Sequence, residues 1–468
     1  MVYLLIDLDN KLLRTDVLLE LTFLFFSGPL IQLFKTRSFN HAQIKRKLAT
    51  FTDLDVTTLP YNSEVIQYIQ DWKAKGGKVA LVTTTDQLIA EKIAAHLGLF
   101  DEVYGSDGQL NLKGVRKARF IVERFGEKNF IYMGDSEADL PVWAVAAKAI
   151  TVNASPRLRK KVEQINPNVE HLGSTKRSIK PYLKEIRPYQ WVKNVLVFVP
   201  MLAGHQFNLP TFGISLVAAV AFSLTASSVY VLNDLLDLHA DRAHPRKRYR
   251  PFAAGDLPLF HGIWMILVLL GLGMAIATTI HLPFLGILLL YYGLTTAYSF
   301  YLKRRIIIDI CTLAGLYTIR IFAGAVATGI ALSVWLLAFS MFFFFCLATV
   351  KRQAELVDHR DRKQLRASGR GYHIDDLPVL TMMAIGAGYV SILVLALYIN
   401  SPQVQLLYTR PQVLWGICCV LLYWITRTIM LAHRGLMHYD PIVYAIKDRQ
   451  SQICFLICLV CFILGGIL

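Results

Sequence analysis

Cysteine is scarce in this chain of 468 residues, and none of its seven cysteines precedes Cys311. Their spacing shows neither a pairing typical of metal ligands nor a disulfide framework, so both kinds of site are excluded. We interpret the cysteines as small apolar residues of membrane helices. A signal-peptide pattern is also lacking, because residues 2–6 have the pattern of a buried strand.

Long apolar runs are missing from residues 1 to about 180 and dominate the rest of the chain. This division predicts a soluble domain over 1–165, a polar linker over 166–182 and a membrane domain over 183–468. Length and apolarity indicate about nine candidate spans. They lie at approximately 190–204, 211–232, 260–281, 283–302, 306–328, 330–350, 375–399, 411–432 and 451–468, the first being short and partly interfacial.

The net charge of +16 is concentrated in alternate loops of the membrane domain. Lys and Arg fill the loops after even-numbered spans, whereas loops after odd-numbered spans carry almost none, with Arg410 the exception. The positive-inside rule predicts that the basic loops and the N-terminal domain are cytoplasmic, at the cell's inner membrane. Aromatic and basic residues are not interleaved as in a reader of DNA or RNA, so we expect no nucleic-acid partner.

The most informative segment follows the second apolar run and combines acidic with basic residues. On a helix, Asn233, Asp237 and Asp241 stack on one face at intervals of four. Their oxygen atoms, with those of Asp234, are ligands that suit Mg²⁺. The cations that follow suit phosphate, and we predict that four of them bind it: Arg242, Lys247, Arg248 and Arg250. The segment therefore predicts a site for a Mg²⁺-bound diphosphate. The alternative is a solvated basic loop, which does not need stacked carboxylates.

Strands alternate with helices in the N-terminal domain, which predicts a doubly wound parallel sheet of the α/β class. Polar residues fall where strands end, and ligands bind there in such sheets. Asp7 and Asp9 end the first strand, and Asp135 follows a later strand with Asp139 four residues on.

These polar residues suit the hydrolysis of a phosphate ester. Asp7 is the candidate nucleophile and Asp9 the candidate proton shuttle. A threonine hydroxyl, that of Thr83 or alternatively Thr84, and the ammonium of Lys113 are expected to hold the phosphoryl oxygens. Mg²⁺ would be held by three aspartates with a fourth behind them: Asp7, Asp9, Asp135 and then Asp139.

The four motifs in this order resemble the haloacid dehalogenase (HAD) superfamily of phosphatases over residues 1–165. The resemblance implies that residues 14–70 form a small helical cap over the site. That family usually has Asp-x-Asp-Gly-Thr at the first motif. This chain has Asp7–Leu8–Asp9–Asn10–Lys11, so a lysine stands at the usual threonine position. Two interpretations stay open, a working phosphatase and a binding or structural remnant.

The membrane half resembles the UbiA-type prenyltransferase superfamily, which implies an all-α polytopic fold of about nine membrane helices. Within it the details are similar to the branch typified by decaprenyl-phosphate phosphoribosyltransferase. Besides the acidic motif, the matching segments are Arg187–Asn194, Ile319–Ala327, Lys351–Leu356 and Asp440–Arg449. Ordinary members carry a second aspartate-rich motif after the sixth span, whereas this chain has cations beside Glu355.

The resemblance implies a Mg²⁺-dependent transfer of 5-phosphoribose from 5-phosphoribosyl 1-diphosphate (PRPP) to a polyprenyl phosphate, a reaction of cell wall biosynthesis. The candidate substrate-binding residues of the membrane half, beyond the acidic motif, are Lys193, Arg320, Lys351, Arg352, Glu355, Lys447 and Asp448. Arg320 lies inside an apolar span and is therefore expected to face a cavity. Asp440 before Pro441 also has the pattern of a helix N-cap.

Two alternatives remain for the whole chain. A prenyl transferase that uses a prenyl diphosphate shares the first motif, although it should need a full second carboxylate motif. The N-terminal domain is expected to remove the 5-phosphate of the lipid product, since linkage of two sites raises effective concentration; alternatively it is no enzyme. The sequence leaves open whether the protein forms a homo-oligomer.

Overall fold

The computed structural model of the protein describes residues 2–27, 48–50, 52–107, 112–173, 178–361, 371–437 and 440–467. Much of the expected cap, the middle of the linker and the end of the basic loop after the sixth predicted span lie outside these ranges. The chain divides into two compact units. The first comprises Met1–Ile186 and Tyr230–Met265, and the second comprises Arg187–Val229 and Ile266–Leu468.

A six-stranded parallel sheet lies at the centre of the first unit, in agreement with the predicted α/β class. The strands are β1 (Tyr3–Ile6), β2 (Lys78–Asp86), β3 (Glu102–Ser106), β4 (Phe130–Gly134), β5 (Lys148–Val152) and β6 (Val169–Leu172). Their order is β3-β2-β1-β4-β5-β6, so the chain reverses direction across the sheet next to β1. Leu4 and Ile6 enter one buried core and Leu5 enters another, because successive side chains of a strand point to opposite faces.

Helices connect these strands, and several begin at side-chain caps that the sequence supplies. Asn62, Asp86 and Ser155 each accept a hydrogen bond from a backbone N–H of the helix that follows. The helices are α1 (Val17–Ser27), α2 (Ser63–Ala74), α3 (Gln87–Leu97), α4 (Val115–Phe125), α5 (Leu140–Val145), α6 (Pro156–Ile165) and α7 (Lys180–Glu185). Helix α1 and the first part of α2 lie within the expected cap, residues 14–70.

The remaining chain is helical, as predicted. Its long helices are α9 (Leu209–Leu236), α11 (Leu259–Ile280), α12 (Leu282–Phe300), α13 (Ile308–Thr328), α14 (Val334–Asp361), α15 (Leu377–Ile399), α17 (Trp415–His433) and α19 (Arg449–Ile467). The short ones are α8 (Val199–Ala203), α10 (Leu238–Ala243), α16 (Pro402–Leu407) and α18 (Pro441–Lys447). Gly324 allows close packing within the second unit, since a Cβ there would lie 2.0 Å from the Val197 carbonyl oxygen.

Eight helices among the described residues are long and apolar enough to cross a membrane, one fewer than the sequence indicated. The difference is the first predicted span, 190–204. A 3₁₀ helix, Pro188–Phe198, and the short helix α8 replace it. Pro200 lacks the backbone N–H that one continuous helix would need, and Lys193 and Asn194 are buried polar residues.

Candidate active sites

The predicted phosphatase residues meet at one edge of the sheet. Strands β1 and β4 are parallel neighbours, and Ile6 pairs with Met133. Asp7 and Asp135 therefore leave the sheet side by side. Gly134 is needed between them, because a Cβ at this position would approach Asp139 Oδ2 to 2.8 Å.

Lys11 lies among these carboxylates. Asn10 adopts the left-handed conformation (φ 60°), which asparagine tolerates better than most residues, and the turn directs Lys11 back towards Asp7. The Lys11 Nζ atom lies 2.6 Å from Asp7 Oδ2, 2.7 Å from Asp135 Oδ1 and 3.7 Å from Asp139 Oδ2. Burial alone would raise the pKa of Asp7, but the positive charges of Lys11 and Lys117 hold that pKa well below its usual value.

The expected Mg²⁺ does not fit this arrangement. The predicted metal ligands Asp7 and Asp135 direct their oxygens at an ammonium group that is itself 5% exposed. Asp7 and Asp135 therefore do not fit the predicted role of Mg²⁺ ligands, because a side-chain cation already neutralises both carboxylates, whereas the predicted role of Asp9 stays a prediction.

The lysine in contact with the candidate nucleophile Asp7 is Lys117, and not the predicted Lys113. Lys117 Nζ lies 3.1 Å from Asp7 Oδ2 and donates to the Tyr132 hydroxyl at 2.8 Å, while Lys113 is exposed. Helix α4 begins after Gly114 and buries one face, and Lys117 lies on that face. The sequence signal that could have identified Lys117 is its position on the apolar face of the predicted helix, next to Ala118 and Ile121.

Asp9 is held in the environment of a proton donor. Its carboxylate accepts from the Val17 N–H at 2.8 Å and from the Thr85 hydroxyl at 2.9 Å. Burial, Asp16 and Asp7 together raise the pKa of Asp9 to about 7. Thr83 is fully buried and its hydroxyl accepts from the Thr85 N–H at 3.1 Å, so the threonine in contact with Asp9 is one that the sequence reasoning missed.

A second acidic cluster forms where helix α9 gives way to α10. The backbone bonds from Asp237 N to Asn233 O and from Asp241 N to Asp237 O keep the predicted helical spacing. The carboxylates that converge, however, are those of Asp234 and Asp241, two turns apart. Arg250 Nη1 lies 3.0 Å from Asp234 Oδ1 and 2.5 Å from Asp241 Oδ2.

The donor set of this cluster fits Mg²⁺. Asp234 and Asp241 direct oxygens at one positive charge, and carboxylate oxygen is the ligand that Mg²⁺ prefers. Asn233 and Asp237 lie half-buried on the same stretch. Burial raises the pKa of Asp241 to about 6, although Arg250 opposes this shift.

The predicted phosphate-binding cations of this segment differ in exposure. Lys247 and Arg248 are exposed, on a short turn whose N–H groups at 246 and 247 donate to His244 Nδ1. Arg242 is buried instead, and its guanidinium donates to Glu20 Oε2 at 2.9 Å and Oε1 at 2.5 Å. We therefore revise the prediction that Arg242 binds substrate: it joins α10 to α1 within the first unit.

In the second unit, two lysines share one carboxylate. Asp440 Oδ2 lies 2.9 Å from Lys193 Nζ and 3.1 Å from Lys351 Nζ, and the Tyr317 hydroxyl donates to Asp440 as well. Asp440 also accepts from the Ile442 N–H, which confirms the predicted N-cap of α18. Two ammonium groups against one carboxylate leave an excess positive charge. Lys193 and Lys351 thus lie together, and their predicted role in binding substrate stays a prediction.

An apolar cavity of about 280 Å³ adjoins this cluster. Ile442, whose N–H donates to Asp440, lines the cavity. Phe344 lines it as well, and its ring stacks on that of Tyr317 with the ring centroids 5.0 Å apart. Its other lining residues include Phe343 and Trp424. The second unit therefore places excess positive charge beside an apolar space.

Other predicted substrate ligands are engaged in internal contacts. Arg320 is buried among the rings of Phe222, Tyr291 and Tyr317, and its Nε donates to Asn194 Oδ1 at 2.9 Å. The prediction that it faces a cavity is therefore revised, because aromatic rings and an amide already satisfy the guanidinium inside the span.

Arg352 is likewise buried, at 1% exposure. It bonds both Asp309 oxygens, at 2.5 and 3.1 Å, and pairs with Glu355. Arg352 is thus revised from a substrate ligand to a buried partner of Asp309, whereas the role of Glu355, whose side chain is 34% exposed, stays a prediction. Asp309 escaped the sequence reasoning, although a carboxylate inside an apolar span is itself a signal.

Asp448 pairs with a residue that the sequence reasoning did not consider. Arg427 donates to both Asp448 oxygens, at 2.7 and 3.1 Å, and Ser451 donates to Asp448 at 2.7 Å. Asp448 therefore stabilises the start of α19, and its oxygens are engaged by Arg427 and Ser451. Lys447 is exposed, and its predicted role stays a prediction.

Comparison with known proteins assigns both parts of the chain. Residues 195–439 match the UbiA prenyltransferase family and residues 7–143 match the haloacid dehalogenase-like hydrolases. The protein belongs to the UbiA prenyltransferase family and carries an N-terminal HAD-like domain. Both resemblances inferred from the sequence are confirmed.

Three relatives illustrate this assignment. The uncharacterized protein y4nM of Sinorhizobium fredii is 37% identical, over 95% of this chain and 87% of its own length. The nodulation protein NoeC of Azorhizobium caulinodans is 37% identical, over 59% of this chain and 90% of its own length. A decaprenyl-phosphate phosphoribosyltransferase of Corynebacterium glutamicum is 38% identical, over 41% of this chain and 59% of its own length.

Proposed function

We propose that this protein transfers 5-phosphoribose from PRPP to a polyprenyl phosphate, giving polyprenyl-phosphoryl 5-phosphoribose and diphosphate. The distribution of Lys and Arg between alternate loops supports a cytoplasmic position for the N-terminal domain. Removal of the 5-phosphate by the HAD-like domain is a separate hypothesis, because it depends on the chemistry of another site.

The observation that carries the proposal is the pairing of Lys193 and Lys351 beside an apolar cavity. The excess positive charge suits a phosphate group, and the cavity suits an isoprenoid chain. A lipid phosphate has both features in one molecule. A phosphate oxygen that replaces the Asp440 carboxylate as partner of Lys193 and Lys351 would keep these ammonium groups neutralised.

The donor would be bound by the cluster of Asp234, Asp241 and Arg250. Mg²⁺, when bound by the two carboxylates with Asn233 and Asp237, supplies positive charge that stabilises a leaving diphosphate. Arg250 can then form charge-assisted hydrogen bonds to the diphosphate. Its side chain is 28% exposed, which lets it exchange a carboxylate partner for a phosphate.

The reaction is a substitution at C1 of the ribose. An oxygen of the lipid phosphate forms the new bond to C1, and the bond from C1 to the diphosphate oxygen breaks. The diphosphate leaves with the electron pair. The attacking oxygen is already anionic, so the chain needs no general base, and its cations serve to orient the groups and stabilise charge.

Similarity to the phosphoribosyltransferase of C. glutamicum supports this choice of donor, over the part of the chain that matches. The competing function is transfer of a prenyl group from its diphosphate. It is favoured by the family match alone. The position after the sixth predicted span speaks for PRPP, because Arg352 neutralises Glu355 there and Lys351 adds positive charge.

The test uses the purified full-length protein in detergent with labelled PRPP and a polyprenyl phosphate. We expect a lipid-linked phosphoribose, identified by mass spectrometry. K193M and K351M should raise KM for the lipid more than for PRPP, while K303M, at a half-buried lysine of another loop, is the matched control. Turnover of a prenyl diphosphate without any ribosylated lipid would refute the proposal.

A further inference from the structure

The HAD-like site contains a side-chain cation at the point where its carboxylates meet. Lys11 Nζ lies within hydrogen-bond distance of Asp7 Oδ2 and Asp135 Oδ1, at 2.6 and 2.7 Å. These two aspartates follow adjacent parallel strands. They therefore lie side by side at one edge of the sheet, where both contact Lys11. A divalent cation at this point would need carboxylate oxygens at about 2.1 Å. The ammonium nitrogen occupies that space.

Local structure keeps Lys11 in this position. The left-handed Asn10 closes a turn in which the Leu13 N–H donates to the Leu8 carbonyl at 3.0 Å. Leu8 and Leu12 on either side of Lys11 are fully buried in the core. The lysine cannot swing into solvent unless this turn unfolds, because its own side chain is buried as well.

The charge count at the site also differs from that of a site with metal. Asp7, Asp135 and Asp139 carry three negative charges, and Lys11 and Lys117 carry two positive charges. One negative charge is left over. With a divalent cation in place of the Lys11 ammonium the same groups would be neutral, so this cluster receives a phosphate dianion less favourably.

We propose that the Lys11 ammonium replaces the divalent cation of the HAD-like site, so that this domain binds no Mg²⁺ there and does not hydrolyse phosphate monoesters. A further consequence, which rests on the proposed transferase function, concerns the lipid product. The lipid product leaves this protein with its 5-phosphate in place, and the reaction that consumes it is hydrolysis by a separate phosphomonoesterase.

The first test counts bound Mn²⁺ on the full-length protein by electron paramagnetic resonance. Wild type and D7N should bind the same number of ions, because only sites outside the HAD-like domain contribute. K11T should bind one ion more, and D7N/K11T should lose it again. K161T is the matched control: its lysine also pairs with a carboxylate of this domain, but on the surface, so its count should equal that of wild type. A wild type that binds one ion more than D7N would overturn the inference.

Thermal unfolding provides a second readout of the same exchange. Removal of Lys11 leaves buried carboxylates without their main cation, so K11T should depend on Mg²⁺ for stability. Saturating Mg²⁺ should raise the Tm of K11T by roughly 5 °C more than that of wild type or K161T. An equal response of all three proteins would contradict the proposal. If K11T does not fold, the comparison of wild type with D7N still decides the matter.

The third test concerns activity and needs no Lys11 variant. Wild type should hydrolyse p-nitrophenyl phosphate no faster than D7N, with or without Mg²⁺. Hydrolysis that requires both Mg²⁺ and Asp7 would overturn the proposal. With PRPP and polyprenyl phosphate, the lipid product of wild type should keep its 5-phosphate. Loss of that phosphate in wild type but not in D7N would also overturn it. Failure to form any lipid product would refute the transferase function alone, since the ion counts do not depend on it.

Discussion

Two acidic clusters of this protein each contain a side-chain cation between carboxylates, and they differ in how firmly that cation is held. Lys11 is buried, at 5% exposure, and comes from a turn inside the core. Arg250 is 28% exposed and follows a run of exposed basic residues. We infer that the more exposed arginine can exchange its carboxylate partners for a diphosphate, whereas the buried lysine cannot. On this proposal, the accessibility of the cation decides which of the two clusters binds a metal ion.

The largest expected effect is on the exchangeable cluster. D241N removes one of the two carboxylates that converge on Arg250 and should lower kcat of the transferase by about 10²- to 10³-fold, as loss of one stabilising electrostatic group does elsewhere. D256N, at an exposed aspartate of the same unit, is the control and should stay within about twofold. Near-normal turnover of D241N would remove the cluster from the reaction.

Arg242 extends the comparison of buried with exposed cations. It follows Asp241 in the sequence, but it is buried, as Lys11 is. E20Q leaves its guanidinium without a charged partner, and breaking such a buried pair typically costs about 3 to 5 kcal/mol. We expect E20Q to lower Tm by roughly 5 to 10 °C in a thermal unfolding assay.

Two controls accompany this prediction. E137Q removes one partner of an exposed ion pair with Lys161 and should change Tm little. The double variant E20M/R242M should recover part of the loss, since neither charge is then left alone. If the Tm of E20Q equals that of wild type, the contact between α1 and α10 does not stabilise the first unit.

Replacement of Arg250 tests whether its cation is exchangeable. R250A should raise KM for PRPP by roughly tenfold to hundredfold, the range for a lost hydrogen bond to a charged group. In the absence of PRPP the same variant should bind Mn²⁺ more tightly, because Asp234 and Asp241 lose a competing partner. R246A, an exposed arginine of the same segment, should change both quantities less. Unchanged Mn²⁺ affinity in R250A would end the analogy with Lys11.

The smallest effect concerns pH. Because burial raises the pKa of Asp241 to about 6, its carboxyl is protonated below that pH and ionised above it. Only the ionised form binds Mg²⁺, so Mg²⁺ affinity should fall as the pH drops through this value. The Mg²⁺ concentration for half-maximal activity should rise roughly tenfold at about pH 5 and stay flat above about pH 7. A flat profile across this range would exclude Asp241 as a metal ligand.

Much of the architecture followed from patterns along the chain. Alternating strands and helices predicted the parallel sheet, and Asp7 and Asp135 were placed correctly at strand ends. Apolar length predicted the membrane helices, except that Pro200 divides the first of the expected spans. The spacing of the acidic motif predicted the helical stretch, but the convergence of Asp234 with Asp241 depends on where the later Arg250 folds back.

The partners of buried charges could not be predicted in the same way. Arg320, Arg352 and Arg242 each looked like a ligand for phosphate, because a charge in an apolar or catalytic setting suggests a site. Their partners lie far away in the sequence: Asn194, Asp309 and Glu20. A one-dimensional pattern shows a charge but not the group that neutralises it.

Composition, periodicity and local motifs were sufficient for the two-part organisation, the acidic motif and the departure at Lys11, because these properties depend on near neighbours. Which lysine faces Asp7, which carboxylates converge and which arginines are internally paired emerged only when distant segments packed together. Short-range propensity shapes helices and strands, whereas the energy of a buried charge depends on groups that only the folded chain brings within about 3 Å.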